Sequence, residues 1–141
     1  MIDTGRWPAD PASARKQNLT ALVSLERIRK LAPNQPGLYL LPPPFRTVAE
    51  CVADGEVFWD RPFSDPQGLD RTRALVIGDF GLGSDAPIVL DFRYSDVDPA
   101  VLYLRWNTEA DAKAGDRMFG LQNRWSNLAS SFERFVEGLG L

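Results

Sequence analysis

Ala74-Leu75-Val76-Ile77, Ile88-Val89-Leu90-Asp91-Phe92 and Val101-Leu102-Tyr103-Leu104-Arg105-Trp106 are three short apolar runs, each bounded by turn-forming residues. A glycine-rich turn, Gly78-Asp79-Phe80-Gly81-Leu82-Gly83-Ser84-Asp85, separates the first two, and Ser95 to Ala100 separates the second from the third. Neither connection has room for a helical crossover, so the runs read as neighbouring strands paired antiparallel.

The segments on either side read as helices. Downstream, Trp125, Leu128, Ala129, Phe132, Phe135, Val136 and Leu139 recur at steps of three and four. That spacing predicts one amphipathic helix, capped by Asn123 and ended by Gly138 and Gly140, lying across the sheet. Ser130 and Glu133 match a capping box but fall inside this run, so the match is set aside. On this reading Phe132 is a core ring, and Phe132→Ala costs about 3–5 kcal/mol if the ring is fully buried. Upstream, Asp10-Pro11 reads as an N-cap and first helical residue, opening a helix to Ala32 with Leu19, Leu22, Val23, Leu25, Ile28 and Leu31 on its apolar side. Its off-stripe Arg15, Lys16, Arg27, Arg29 and Lys30 could suit a membrane surface, but a helix packed on a core needs the same pattern. Pro42-Pro43-Pro44 forms a rigid entry to a further helix over Phe45 to Asp54, which buries Val48, Ala49 and Val52. A loop over Asp60 to Gly68 and a polar connection over Thr108 to Arg117 complete the chain. The expected fold class is α+β: one domain over residues 1–141, a mainly antiparallel sheet flanked by helices, with residues 1–9 a flexible N-terminus.

Composition narrows the function classes. The chain has 141 residues and no histidine. That removes Ser-His-Asp and Cys-His catalysis, imidazole bases and nearly every zinc site. The single cysteine, Cys51, allows no internal disulfide, suits a reducing compartment and reads as a small buried apolar residue. Residues 1–10 have no apolar run of the kind a secretory signal needs, and no stretch is long enough for a membrane helix. The expectation is a cytoplasmic binding protein rather than an enzyme, with no cofactor.

The net charge of −3 is unevenly spread: +3 over residues 1–53, −6 over 54–98 and zero over 99–141. Phosphate binding needs clustered Lys and Arg, so an acidic middle argues against direct contact with nucleic acid. A basic protein partner fits it, because complementary potentials speed encounter. The plainer alternative is a solvated acidic surface. Asp54, Glu56, Asp60, Asp65, Asp85, Asp96 and Asp98 fall in predicted loops and are the candidate contact residues, with Trp59 as an aromatic anchor; Trp7 is a second open case.

Two motif matches fail. Gly78-x-x-Gly81-x-Gly83 lacks dinucleotide spacing and precedes a strand, not a helix. Asp79-Phe80-Gly81 spells the kinase metal-binding tripeptide in a chain too short for a kinase and without the catalytic-loop histidine. Asp79, Asp85 and Asp91 invite a carboxylate metal site, but no acidic cluster has calcium-loop spacing, and turn chemistry explains most of these acids equally well. No metal is expected.

Three blocks in order resemble the SUKH superfamily, which includes the Syd protein and yeast cell-wall-synthesis regulators. They are Leu41-Pro42-Pro43-Pro44-Phe45; Ile77 to Asp85 with the following Ile88-Val89-Leu90-Asp91 and Pro99 to Leu104; and Trp125 to Phe135, similar to the family's closing helix. Gly78, Gly81, Gly83, Asp85, Trp125, Phe132 and Phe135 carry the likeness, and Ala53-Asp54-Gly55 departs from the family's Asn-Gly-Gly. The resemblance implies an α+β fold. For bacterial members it implies an immunity protein that occludes a cognate polymorphic or contact-delivered toxin, and the acidic 54–98 segment suits a basic one such as a nuclease. The alternative it allows is a non-catalytic regulatory or scaffold protein with a housekeeping partner.

Overall fold

The computed structural model describes residues 7–19, 23–32, 37–53, 69–80, 86–105 and 124–141. The three apolar runs form the middle of the sheet. Strand β3 (Ala74–Asp79) pairs with β4 (Pro87–Asp91), and β4 with β5 (Ala100–Arg105), all antiparallel. Two short strands, β1 (Tyr39–Leu40) and β2 (Arg46–Thr47), both pair with β3, and β6 (Arg124–Ala129) pairs with β5. The sheet therefore runs β1-β3-β4-β5-β6, with β2 also alongside β3. Helices α1 (Pro11–Leu19), α2 (Leu25–Leu31), α3 (Val48–Ala53) and α4 (Phe132–Leu139) accompany it, together with a 3₁₀ turn at Arg71–Arg73. The α+β class with a mainly antiparallel sheet is as the sequence implies.

Side chains alternate across a strand, and here both faces are covered. On one face Ile77, Ile88, Val101 and Tyr103 pack with Ile28 and Ala32 at α2, with Phe135 and Leu139 of α4, and with Trp7. On the other, Ala74, Val89, Leu102 and Leu104 pack with Val48 of α3, and Leu69, Val76 and Trp125 join them. At Gly78 the chains come very close: an added Cβ would sit 2.6 Å from the Tyr39 carbonyl oxygen, so only glycine lets β1 lie against β3 there.

Four readings of the sequence need correction. The C-terminal apolar run is not one helix. Trp125 to Ala129 lie in β6, with Leu104 opposite Trp125 and Leu102 opposite Asn127, and the register shifts between Val101 and Leu102. Trp125 serves one face of the sheet while Leu128 and Ala129 serve the other. Apolar side chains sent to both faces of a bulged strand thus mimic helical spacing. The helix begins only at Phe132. Its cap is Ser131, whose Oγ accepts from the Arg134 N–H at 3.2 Å, and it ends at Gly140 in the left-handed region (φ 77°).

The N-terminal helix is likewise two helices. Ser24, extended at ψ 148°, accepts at Oγ from the Arg27 N–H and starts α2 afresh, leaving Leu25 exposed rather than on an apolar stripe. Asp10 does cap α1: its Oδ1 accepts from the Ser13 N–H at 2.8 Å. The third correction is at Phe45–Thr47. Arg46 and Thr47 face Val76 and Leu75 in a strand, so α3 begins at Val48, and Thr47 Oγ1 caps it by accepting from the Glu50 N–H. Fourth, Trp7 and Pro8 are not part of a flexible tail. Trp7 is 3% exposed and donates its indole N–H to the Leu41 carbonyl at 2.8 Å. The expected loops over 60–68 and 108–117 lie outside the described residues.

Phe132 is half-buried, its ring centroid 5.8 Å from that of Trp7, whereas Phe135 is completely buried. The large truncation cost therefore belongs to Phe135→Ala, expected to lose about 3–5 kcal/mol in denaturant unfolding, with Phe132→Ala below that range. Ser131→Ala separates the two readings of the C-terminus. A lost cap destabilises by about 1 kcal/mol, whereas alanine inside a continuous helix would leave stability equal or raised.

Candidate functional site

The connection from β4 to β5 is an exposed segment fastened by several hydrogen bonds and ion pairs. Its base is Asp91, the last residue of β4 and only 3% exposed. The Asp91 carboxylate accepts from the Arg93 backbone N–H at 3.1 Å, from its Nε at 3.0 and 3.1 Å, and from its Nη2 at 2.9 Å. Such a forked, charge-assisted pairing fixes the guanidinium in direction as well as position. Hydrogen bonding to Asp91 raises the Arg93 pKa further above its already high ordinary value, so the guanidinium stays protonated.

From this anchor the chain bends through Phe92 to Pro99. The Phe92 N–H donates to the Arg73 carbonyl at 2.9 Å, tying the bend to the 3₁₀ turn before β3. Ser95 Oγ accepts from the N–H groups of Val97 (3.3 Å) and Asp98 (3.0 Å), and the Arg73 guanidinium pairs with Asp96 across the gap. The 3₁₀ turn is held by Asp70, whose Oδ1 accepts from the Thr72 N–H and hydroxyl at 3.0 and 2.7 Å. Arg93 also lies over the Tyr94 ring, 5.1 Å from its centroid. Tyr94 and Val97 nevertheless point outward, 84% and 93% exposed.

Of the nominated contact residues, Asp96 and Asp98 are exposed on this bend; Asp54, Glu56, Trp59, Asp60, Asp65 and Asp85 lie outside the described residues. Trp7 is unavailable as an interface anchor because it is core. Among the residues carrying the family likeness, Gly78 sits in β3, Trp125 in β6 and Phe132 and Phe135 in α4, while Gly81, Gly83 and Asp85 lie outside the described residues. Asp79 and Asp91 do not converge as metal ligands would. Asp79 stands opposite Pro87 and Asp91 opposite Ala74, at the two ends of the β3–β4 ladder. Among the described residues, no three His, Cys, Asp or Glu side chains cluster to hold a metal. Nor, among them, is any helix long and apolar enough to cross a membrane.

The sequence reading missed Tyr94 and Val97. Their signal was available: a large apolar side chain flanked by charge and Ser within a six-residue turn, Arg93-Tyr94-Ser95-Asp96-Val97-Asp98, has no core to enter. Comparisons with protein-family models, with curated proteins and with solved structures give no match to this chain.

Two outcomes test this geometry. Asp91→Asn removes the charge that orients Arg93 and is expected to lower stability by about 1–2 kcal/mol, held to that level because Arg93 is 24% exposed and water can replace part of the pairing. Denaturant titration measures it. The Asp70 carboxyl is held below the usual 3.8 by its bonds from the Thr72 hydroxyl and N–H, and Asp10 is lowered likewise by Ser13. A lowered folded-state pKa gives stability that is present above 3.8 and fades as pH falls through the folded values. Carboxyl carbon chemical shifts followed in acid should show both midpoints below 3.8, and a midpoint at or above it for either residue contradicts the capping geometry.

Proposed function

We propose that this domain is a non-catalytic, cytoplasmic immunity protein that binds a basic toxin domain and occludes its active surface. The observation that carries the reading is the placement of Asp98, which has no ion pair among the described residues, beside the Arg73-paired Asp96. Both stand exposed on a fastened bend and belong to the segment 54–98 whose net charge is −6. The SUKH resemblance of the strand blocks adds the toxin as the partner class. A surface of this kind needs no reacting group. It needs complementary charge to speed encounter and a few anchors to hold the complex.

Affinity purification of the tagged protein from its own cells tests the reading. A toxin domain recovered at one-to-one stoichiometry, whose lethality is suppressed by co-expression of the wild-type protein, is the expected result. A housekeeping complex recovered in its place would favour the scaffold alternative and end the immunity reading. With a toxin in hand, Asp98→Lys should slow association about tenfold at low salt, with a smaller effect at high salt and unchanged thermal unfolding.

A further inference from the structure

We infer that Tyr94 and Val97 are the anchors by which the domain engages its partner, and that the partner presents an apolar depression with a Lys or Arg at its rim, facing Asp98. This deepens the reading above and rests on it in taking the partner to be a basic protein.

Three observations converge. Tyr94 and Val97 are large apolar side chains at 84% and 93% exposure, three positions apart on one bend. Exposed apolar side chains on loops are ordinary when the loop is loose, but here the backbone is fixed before any partner arrives. Asp91 holds Arg93, Ser95 holds Val97 and Asp98, and Arg73 holds both Phe92, through its carbonyl, and Asp96, through its guanidinium. A segment already ordered loses little further conformational entropy on docking, so more of the contact energy appears as affinity. Tyrosine adds a large ring with few rotatable bonds, and the guanidinium over the Tyr94 ring restricts it further.

The charges specify the occupant. Asp91 with Arg93, and Arg73 with Asp96, cancel within the bend. Asp98 is left as its uncompensated charge, with no ion pair among the described residues, one position from Val97. An apolar surface alone would leave that carboxylate stripped of water and unpaired, which is unfavourable. A surface with one cation beside an apolar cup satisfies both. The net −6 of the surrounding segment points the same way.

The test uses the whole protein and a displayed library of random dodecapeptides, selected on immobilised wild type. The selected peptides should carry net positive charge with at least one aliphatic or aromatic residue. They should bind Tyr94→Ala/Val97→Ser at least about tenfold more weakly, and Asp98→Lys more weakly as well. Both variants change only exposed side chains, so their thermal unfolding should match wild type. Peptides that bind the double variant as tightly as wild type, a neutral or acidic selected set, or no enrichment would each overturn the inference. The toxin domain, measured separately, distinguishes the two readings. Equal binding of toxin by wild type and the Tyr94→Ala/Val97→Ser protein removes the anchor assignment and leaves immunity standing. Basic peptides selected on the bend, with no toxin bound by wild type, remove immunity and leave the anchors.

Discussion

Strand β5 directs Val101 and Tyr103 to one face of the sheet and Leu102 and Leu104 to the other, and all four are buried. Many antiparallel sheets cover one face and leave the other to water. This one requires cover on both, and the remaining elements are arranged to supply it. Helices α2 and α4 with Trp7 close one side, and α3 contributes to the other. The short β1 and β2 line one edge of β3, with Pro42 to Pro44 between them, where a missing N–H breaks no ladder bond. The hydrophobic contribution of the double-sided arrangement is what allows such short helices, of six to nine residues, to hold their places.

The same constraint explains what could and could not be read from the chain. Ala74 to Ile77, Ile88 to Asp91 and Val101 to Arg105 were legible as antiparallel strands because they are apolar, short and separated by turn residues. Trp125 to Ala129 was not, because its apolar side chains divide between the two faces of the sheet, and a bulge gives them a three-and-four spacing that imitates a helix. Ser24 and Ser131 mark the true helix starts, yet both stand within apolar patterns that continue past them. Hydrophobic period reports burial, whereas caps report the backbone, and at these two positions the cap decides. Trp7 shows a different gap: nothing local to a chain terminus indicates that an indole 34 residues away from Leu41 will bond to its carbonyl.

The candidate surface was legible in part for a similar reason. Charge is a property of sequence, so the acidic segment and its Asp96 and Asp98 could be nominated directly. Exposure of an apolar side chain is a property of the fold. Val97 lies in a polar turn between two strands, a setting that offers it no core to enter, and the fold leaves it 93% exposed. The Asp91–Arg93 contact is local, two residues apart, but its consequence depends on Asp91 being sealed at the end of β4.

The core and the proposed anchors are therefore different residues in this domain. The core rests on Ile77, Ile88, Val101, Leu104 and Phe135, none of which reaches solvent to any extent. The bend is shaped by polar contacts within residues 70–98, and Tyr94 and Val97 contribute little to either. The proposed binding role is served by that separation, because anchor side chains can be exchanged while the backbone that carries them, and the core beneath it, stay as they are. In a domain where Tyr94 and Val97 were also core residues, each adjustment of specificity would carry a folding penalty of the size expected for Phe135. Here the Asp91–Arg93 fork holds the bend in shape without drawing Tyr94 and Val97 inward.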